Sequence, residues 1–280
     1  MPPKVSVIIP CYNEEKTIRL VLESLLQQTF PQEQMEVVIA DGMSTDKTRD
    51  AIAAFKHEHP DFKLQIVDNS KQTIPAALNV AIAAAQGEVI VRLDAHSIPY
   101  PDYVARSVEG IQEELGQNVG GVWEIFPGAE TWIAESIAIA AAHPFGVGDA
   151  KYRYTDKAAK VDTVPFGAFR KTLIDQVGGF DEDLLTNEDY EFNVRIRKAG
   201  GGIWLDPRIR ARYYARPTLG ALAKQYWRYG YWKVRMLRRY PETLRWRQAI
   251  PPIFVLGLLG AGLLSFWLPF ARWILAVEVV

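Results

Sequence analysis

Short apolar runs alternate with amphipathic stretches through the first half of the chain, and this alternation constrains the fold more than any other feature. Runs of four to six residues, rich in valine and isoleucine, predict strands at residues 5–9, 36–40, 64–67 and 88–93. Apolar side chains at helical spacing predict helices between them, at 14–28, from a cap at Thr45 or Asp46 to 57, and at 75–86. Strands that alternate with helices indicate an α/β fold with a parallel sheet.

The rest of the chain has a less regular pattern. We predict helices at residues 104–115, 131–142, 170–177 and 188–199, and strands at 120–123, 162–166 and 203–206. Residues 143–154 contain Pro144, Gly146 and Gly148, which predicts a mobile loop. The predicted fold class is therefore α/β, with a mixed, mainly parallel sheet flanked by helices.

Acidic residues follow three of the predicted strands. Glu14 comes after the first strand, Asp41 after the second and Asp94 after the fourth. Each one alone is typical of a turn or a helix cap. Ligands of open α/β sheets bind at the carboxyl ends of the strands, so three carboxylates along one edge predict a nucleotide pocket. Lys71 and Arg92 lie near the same edge and are candidates for phosphate contacts.

Asp94 and His96 are spaced so that, in an extended segment, both side chains face the same way. A carboxylate oxygen and an imidazole nitrogen can share a divalent cation with diphosphate oxygens. Mn²⁺ accepts imidazole more readily than Mg²⁺, and we expect one of these two metals. The alternative is that His96 is a hydrogen-bonded loop residue.

Residues 187–189 (NED) place two adjacent carboxylates at the start of a predicted helix. A carboxylate there can act as a general base, and Asp189 is the candidate, with Glu188 as its acidic neighbour. The alternative is that both residues only complement the helix dipole, which lowers the pKa of a carboxylate. A base at this position therefore depends on its location and on the neighbouring charge.

Polar and aromatic side chains cluster at residues 225–229 on a predicted helix. Gln225 and Arg228 lie three residues apart and therefore on one face. An arginine there can neutralise a departing diphosphate, and Trp227 can stack under a sugar ring. The alternative is a basic amphipathic helix that inserts Trp227, Tyr231 and Trp232 into a membrane surface. The two interpretations are compatible because they use different faces.

Charge is distributed unevenly along the chain. The formal net charge of −1 gives no reason to expect nucleic-acid binding, yet residues 218–247 carry eight basic side chains and one acid. The next 24 residues, between Arg247 and Arg272, are uncharged, which suits a membrane helix or a buried or interfacial hairpin. We therefore predict a catalytic domain at 1–217, basic amphipathic interface helices at 218–248, and a transmembrane or membrane-associated segment at 249–280. We expect the end of the chain to cut that segment short.

Several motifs occur together in a fixed order: residues 7–14 (VIIPCYNE), 41–48 (DGMSTDKT), 93–96 (LDAH), 178–182 (GGFDE), 187–189 (NED) and 225–229 (QYWRY). In order and spacing they resemble the inverting glycosyltransferases of family 2. Residues 94–97 (DAHS) and 143–148 (HPFGVG) are similar to the succinoglycan-biosynthesis glucosyltransferase branch of that family. Two positions depart from the pattern. His96 replaces the second aspartate of D-x-D, and Tyr229 replaces the tryptophan of Q-x-x-R-W that is usual in processive synthases.

The resemblance implies a GT-A fold, which is Rossmann-like, and a UDP-sugar donor. It implies that uridine is held by four residues: Pro10, Tyr12, Glu14 and Asp41. It also implies that Asp94 and His96 bind a metal and the diphosphate, and that Asp189 is the base. Gln225 and Arg228 are then expected beside the diphosphate and the acceptor. We expect the segment 143–154, with His143, Gly148 and Arg153, to close over the acceptor, near Trp227.

These expectations form one hypothesis: a metal-dependent inverting glycosyltransferase that moves glucose or a related sugar from UDP to a lipid-linked saccharide, in exopolysaccharide or cell-surface glycan synthesis. A basic stretch before an apolar run predicts attachment to the cytoplasmic face of the inner membrane. The single cysteine, Cys11, fits a reducing compartment. Two alternatives are a polyprenyl-phosphate glycosyltransferase and a membrane subunit that binds UDP-sugar without catalysis.

Overall fold

The computed structural model describes residues 4–244, 246–270 and 273. Its first half follows the predicted alternation of strands and helices. The strands are β1 (Val5–Cys11), β2 (Met35–Asp41), β3 (Leu64–Asp68) and β4 (Val89–Arg92), and the helices between them are α1 (Ile18–Leu26), α2 (Thr48–Glu58) and α3 (Ile74–Ala84). All residues of β1 and β2 are buried, because helices cover both faces of this part of the sheet.

The second half contains shorter strands and longer connections. Its elements are β5 (Ile98–Pro99), α4 (Tyr103–Gln112), β6 (Asn118–Phe126), α5 (Trp132–Ala142), α6 (Pro144–Val147), β7 (Ala159–Lys160), β8 (Ala168–Arg170), α7 (Leu173–Val177), α8 (Glu188–Lys198), β9 (Ile203–Tyr214), α9 (Leu219–Arg239) and α10 (Trp246–Leu264). Short 3₁₀-helical turns occur at Gln32–Gln34, Lys151–Arg153 and Pro241–Thr243.

The strands form one mixed sheet in the order β3-β2-β1-β4-β8-β6-β9-β5, with β7 paired to β9. β1 to β4 are parallel, as predicted, and β6 is parallel to β9. β8, β5 and β7 run antiparallel to their neighbours. The predicted mixed α/β sheet flanked by helices is confirmed, and its parallel part is the part that the repeated strand–helix pattern indicated.

Two apolar layers cover the two faces of the sheet. Ile9 of β1 packs in the layer that contains Phe55 of α2, whereas Ile8 packs in the layer that contains Leu78 of α3 and Phe192 of α8. Successive side chains of a strand point to opposite faces, so one strand contributes to both layers. This double burial fixes the strand register and hence the positions of the residues that follow each strand.

The predicted strand at residues 162–166 is wrong. Phe166 and Gly167 adopt positive φ angles of 60° and 91°, which lie outside the extended region. A Cβ at Gly167 would lie 2.2 Å from Oδ1 of Asn118, so only glycine fits there. The segment therefore turns between β7 and β8 instead of forming a strand.

Two other elements differ from their predictions. β9 continues to Tyr214 instead of ending at Asp206, because a register shift between Gly120 and Val122 of β6 accommodates the irregularity near Pro207. The predicted loop at 143–154 contains α6 and the 3₁₀-helical turn Lys151–Arg153.

The chain divides into two compact units, Met1–Met236 and Leu237–Val280. In the second unit, α10 leaves apolar side chains exposed, among them Ile253, Leu256 and Leu259. Over residues 4–244, 246–270 and 273, no helix combines the length and the apolarity needed to cross a membrane. The predicted transmembrane segment is therefore not confirmed, and its residues 271–272 and 274–280 lie outside the described part of the chain.

Candidate active site

Strand ends bring the predicted acidic residues to one edge of the sheet. In the parallel register, Cys11 lies beside Asp41, and Asp41 lies beside Asp68. Ile8 of β1 lies beside Arg92, the last residue of β4, so residue 94 follows at this edge. The four parallel strands thus present their carboxyl ends together, as a nucleotide pocket requires.

Asp41 is buried and held by two neighbours. Ser44 donates to it twice, from Oγ to Oδ1 at 2.5 Å and from the backbone N to Oδ2 at 3.1 Å. Nε of Arg49 donates to Oδ2 at 2.6 Å, and Nη2 of Arg49 reaches Oδ1 of Asp68 at 2.6 Å. The carboxylate is therefore fixed in position and paired with a cation before any ligand binds.

Pro10 and Tyr12 lie next to Asp41, as the resemblance implied. Pro10 is buried in β1 opposite Ala40. The Tyr12 side chain is 48% exposed and lies against the backbone at Gly42, where an added Cβ would be 3.1 Å from the tyrosine ring. A flat aromatic face is thus available beside the buried carboxylate.

Glu14 lies against His96 on the same edge. Its Oε1 is 3.1 Å from Nδ1 of His96, and its Oε2 accepts a hydrogen bond from Oγ1 of Thr17 at 2.6 Å. Burial acts to raise the pKa of Glu14, but the hydrogen bonds from His96 and Thr17 lower it. The hydrogen bond to Glu14 in turn raises the pKa of His96.

Asp94 and His96 do not lie in an extended segment, as the spacing argument assumed. The backbone N of Ser97 donates to the carbonyl of Asp94 at 3.0 Å, which makes residues 94–97 a turn. The charge of Asp94 nevertheless acts on His96 and raises its pKa, so the two side chains are near each other.

A buried arginine links β4 to α8. Nη2 of Arg92 donates to Oε1 of Glu188 at 2.8 Å and to Oδ1 of Asp94 at 3.2 Å, and the arginine side chain is only 3% exposed. Burial opposes the charge, but the carboxylates of Asp94, Glu188 and Asp189 raise the pKa of Arg92. Its Nε and Nη1 are buried and have no hydrogen-bond partner within the described residues.

Asp189 interacts electrostatically with the same arginine. Withdrawal from water and the adjacent Glu188 raise the pKa of Asp189 to about 7, although Arg92 and the backbone N of Tyr190 act to lower it. The charge of Asp94 adds to the increase, which places Asp94 and Asp189 in one acidic cluster. Burial and a like charge thus outweigh the helix dipole, and a carboxylate with this pKa is suited to proton transfer near neutral pH.

Helix α9 brings Arg228 to the segment that precedes α8. Nη2 of Arg228 donates to Oγ1 of Thr186 at 3.0 Å, two residues before Glu188. Gln225 instead donates to the hydroxyl groups of Tyr213 and Tyr229, at 3.2 and 2.8 Å. Of the two predicted residues, the arginine therefore contacts the segment before α8, and the glutamine bonds to two tyrosines.

Lys71 occupies a surface ion pair. Its Nζ lies 2.5 Å from Oε2 of Glu182, and the lysine side chain is 69% exposed. Asn79 donates to the other oxygen of Glu182 at 3.0 Å. The predicted phosphate contact of Lys71 therefore stays a prediction, and the structure accounts for the residue as a link between the β3–α3 connection and the segment before α8.

Arg153 is enclosed by aromatic rings. Its guanidinium lies 5.1 Å from the ring centroid of Trp123, 5.5 Å from Tyr152 and 5.9 Å from Tyr213. Trp123 and Tyr213 stack at 4.4 Å with an interplanar angle of 5°. Trp123 also contacts Phe166, and Phe166 lies 5.7 Å from the Arg92 guanidinium. This aromatic cluster fastens the end of the segment 143–154 beside the acidic cluster.

The other residues predicted for the acceptor or lid lie outside the aromatic cluster. Nδ1 of His143 accepts from the backbone N of Phe145 at 3.2 Å and caps α6. Gly148 ends α6 with a φ of 62° and a ψ of −133°, a conformation that favours glycine. Trp227 is 80% exposed on α9.

Sequence reasoning missed the counter-ion role of Arg92 and the aromatic cluster. A signal for Arg92 was present, because an arginine that continues the apolar run 89–91 is buried and must be paired. The aromatic cluster had no comparable signal. Its rings come from β6, β9 and the segment between α6 and β7, and only the tertiary structure brings them together.

The donor atoms of Asp94 and His96 fit a divalent cation. Oδ1 of Asp94 is shared with Arg92 and Nδ1 of His96 is bound to Glu14, so each side chain is held in place. No group of three or more His, Cys, Asp or Glu side chains could hold a metal in the part of the chain that is described. One carboxylate and one imidazole suit a cation that takes its other ligands from a diphosphate and water.

Comparison with known proteins gives a consistent result. The family described as Glycosyl transferase family 2 matches residues 6–178. A dolichyl N-acetyl-alpha-D-glucosaminyl phosphate 3-beta-D-2,3-diacetamido-2,3-dideoxy-beta-D-glucuronosyltransferase of Methanococcus voltae is 31% identical over 94% of this chain and 83% of its own length. The succinoglycan biosynthesis protein ExoA of Rhizobium meliloti is 31% identical over 88% of this chain and 73% of its own.

Solved structures agree on the fold. The mannosyltransferase PcManGT of Pyrobaculum calidifontis, solved with GDP-Man and Mn²⁺, aligns over all of this chain and 74% of its own, with a TM-score of 0.68 and 24% identity. TarS 1-349 of S. aureus, solved with UDP, aligns over 76% of this chain and 61% of its own, with a TM-score of 0.58 and 22% identity. The relatives are named as glycosyltransferases or polysaccharide biosynthesis proteins, which leaves the non-catalytic alternative without support. The chain is a glycosyltransferase and belongs to glycosyl transferase family 2.

Proposed function

We propose that this enzyme transfers one sugar from a UDP-sugar to a saccharide carried by a membrane lipid, with inversion at the anomeric carbon. The observation that carries the proposal is the convergence of Asp94, Glu188 and Asp189 around the buried Arg92. Asp189, the proposed base, has a pKa raised to about 7 and belongs to the same cluster as Asp94, the carboxylate expected beside the donor diphosphate.

Asp189 takes the proton of an acceptor hydroxyl as the hydroxyl oxygen attacks the anomeric carbon of the donor. The new C–O bond forms on the face opposite the nucleotide. The bond from the anomeric carbon to the diphosphate breaks, and its electron pair leaves with UDP. A single displacement of this kind inverts the anomeric centre.

Charge on the leaving diphosphate needs positive partners. Arg228, which donates to Thr186 two residues before Glu188, is the proposed side-chain cation. A divalent cation held by Asp94 and His96 would supply Lewis-acid stabilisation of the same charge. The segment 143–154, anchored by Arg153, is proposed to cover the acceptor and exclude water, which would otherwise hydrolyse the donor.

The donor nucleotide is proposed to bind at Pro10, Tyr12 and Asp41. The TarS complex with UDP supports a uridine nucleotide, whereas the PcManGT complex contains GDP-Man. The identity of the donor nucleobase is therefore tested by the experiment below. The half-exposed ring of Tyr12 can stack on a nucleobase, and the buried carboxylate of Asp41 can accept a hydrogen bond from an N–H of that nucleobase.

A membrane lipid as carrier of the acceptor is proposed from two observations. One relative is named for a dolichyl-linked sugar and another for succinoglycan biosynthesis. On α9, Trp227, Tyr231 and Val234 are exposed among basic residues, which suits a helix lying at an anionic membrane surface. Trp232, also expected to insert, is half-buried and packs edge-on against Tyr231. The cytoplasmic face of the inner membrane is the proposed location.

A panel of UDP- and GDP-sugars, incubated with lipid-linked oligosaccharides in vesicles, tests this function. We expect UDP release and a product heavier by one sugar. GDP release alone would contradict the proposed UDP-sugar donor, and transfer to a bare polyprenyl phosphate would favour the alternative acceptor.

Removal of the metal tests the proposed metal dependence. We expect EDTA to abolish turnover and Mn²⁺ or Mg²⁺ to restore it. Unchanged turnover in EDTA would remove the metal from the proposal.

A further inference from the structure

Hydrogen bonds hold both the backbone and the side chain of Glu14 in place. The backbone N of Glu14 donates to Oγ1 of Thr48 at 2.8 Å, and Oε2 accepts from Oγ1 of Thr17 at 2.6 Å. The remaining carboxylate oxygen, Oε1, lies 3.1 Å from Nδ1 of His96. The carboxylate therefore occupies a defined position against one nitrogen of the imidazole.

This contact determines which imidazole nitrogen carries the proton. A carboxylate can only accept a hydrogen bond, and Oε1 of Glu14 faces Nδ1 of His96 at 3.1 Å. Nδ1 of His96 must therefore donate. In the neutral imidazole the other nitrogen, Nε2, then has no proton and can act as a metal ligand.

We infer that Glu14 is a positioning residue for the metal. It holds His96 in the tautomer and ring orientation that present Nε2 to a divalent cation shared with Asp94. Carboxylate–histidine–metal arrangements of this kind fix the ligand, and loss of the carboxylate typically costs 10–100-fold in metal affinity. This inference rests on the proposed metal dependence, and it moves Glu14 from the uridine, where the family resemblance placed it, to the metal side of the pocket.

The imidazole of His96 affects which divalent cation binds. An imidazole ligand disfavours Mg²⁺, which prefers oxygen, and suits Mn²⁺ better. His96 stands where the family pattern has a second aspartate, and an aspartate has no tautomer to select. The roles of Glu14 and His96 are therefore coupled, and a change to His96→Asp removes the need for Glu14.

Mn²⁺ binding to the full chain with saturating UDP, followed by electron paramagnetic resonance, tests the inference without turnover. We expect Glu14→Ala to raise the Kd of Mn²⁺ by about 10–100-fold. Glu14→Gln should fall between, because its amide oxygen can still accept from Nδ1 but carries no charge. Glu15→Ala is the matched control in the same turn, since the Glu15 carboxylate accepts from the backbone N of Lys47. In the His96→Asp background, Glu14→Ala should change the Kd of Mn²⁺ by less than about twofold.

A second readout needs no metal. In the ¹⁵N spectrum of the metal-free protein at a pH of about 9, where imidazole is neutral, the proton of His96 should be on Nδ1 in the wild type and move toward Nε2 in Glu14→Ala. Folding of each variant is checked by circular dichroism.

The outcomes separate this inference from the proposed function. If His96→Ala weakens Mn²⁺ binding while Glu14→Ala does not, the metal site stands and the role of Glu14 is wrong. If Glu14→Ala weakens UDP binding equally with and without Mn²⁺, Glu14 contacts the nucleotide and the inference is overturned. If the wild type with UDP binds no Mn²⁺, the inference and the proposed metal site both fail.

Discussion

Two acidic regions of the first unit contrast in how their charges are satisfied. In the proposed nucleotide edge, made of Asp41, Ser44, Arg49 and Asp68, each hydrogen bond joins residues no more than 19 positions apart, and both oxygens of its buried carboxylate accept hydrogen bonds. The proposed catalytic cluster, which consists of the acidic cluster and Arg92 (Arg92, Asp94, Glu188 and Asp189), joins residues 96 positions apart. It leaves two buried nitrogens of Arg92 without partners among the described residues, and it has an aspartate whose pKa is raised to about 7.

The contrast separates binding from chemistry. A satisfied carboxylate offers a rigid site to a ligand. An unsatisfied buried donor costs about 1–3 kcal/mol, so the catalytic cluster is a place where stability is reduced. The same crowding of like charges makes Asp189 a better base. Substitutions in the two regions should therefore change different quantities.

The largest expected effect is on turnover, from Asp189→Asn in the catalytic cluster. We expect kcat to fall by about 10²–10⁴-fold, because an amide cannot take the acceptor proton. The free energy of unfolding should not decrease, because the amide removes repulsion with Glu188. Turnover assays measure kcat, and urea denaturation measures the free energy of unfolding. Asp50→Asn, in the first turn of α2, is the matched control for a first-turn aspartate. Full activity of Asp189→Asn would contradict the proposed base.

The next largest effect is on stability, from Arg92→Met. Removal of the buried cation leaves Glu188 and Asp94 without their partner, which should lower the free energy of unfolding by about 3–5 kcal/mol. Arg106→Met, which breaks more exposed ion pairs with Asp102 and Glu109, should change the free energy of unfolding far less. Equal losses for the two variants, measured by urea denaturation, would remove the distinction between the buried cluster and a surface pair.

A smaller effect is expected at the nucleotide edge, from Asp41→Asn. Asparagine keeps one acceptor oxygen and loses the charge that Arg49 binds, so we expect a loss of about 1–3 kcal/mol in the free energy of unfolding. The KM for the donor should rise about tenfold while kcat changes little, as for a residue that binds substrate and transition state alike. Steady-state kinetics over a range of donor concentrations measures KM and kcat separately. A large fall in kcat at unchanged KM would place Asp41 in the chemistry.

The sequence predicted the nucleotide edge better than the catalytic cluster. β1, β2 and β4 are buried and largely apolar, so their ends, and the acidic residues that follow them, could be located from the sequence pattern alone. The strand predicted at 162–166 failed because Phe166 and Gly167 adopt left-handed angles that depend on Asn118, a residue far away in the chain. Local propensity contains no information about such a contact.

Roles within the site were harder to predict than its location. The motifs pointed to Asp94, His96 and Asp189, and the structure brings all three to the same edge. The bond between Glu14 and His96, and the pairing of Arg92 with Glu188, depend on which side chains meet across loops from different strands. The raised pKa of Asp189 reverses the effect expected from the helix dipole, because burial and Glu188 are tertiary features that the helix pattern does not reveal.

The pH dependence of kcat/KM tests the central claim most directly, since it reports the ionisation of the free enzyme. Asp189 acts as a base only when deprotonated, and its pKa is raised to about 7, so activity should rise with pH through about 7. Glu188→Gln removes the adjacent negative charge and should move that midpoint to lower pH. A midpoint near 4, the ordinary value for aspartate, or a midpoint near 7 that Glu188→Gln leaves in place, would contradict the account.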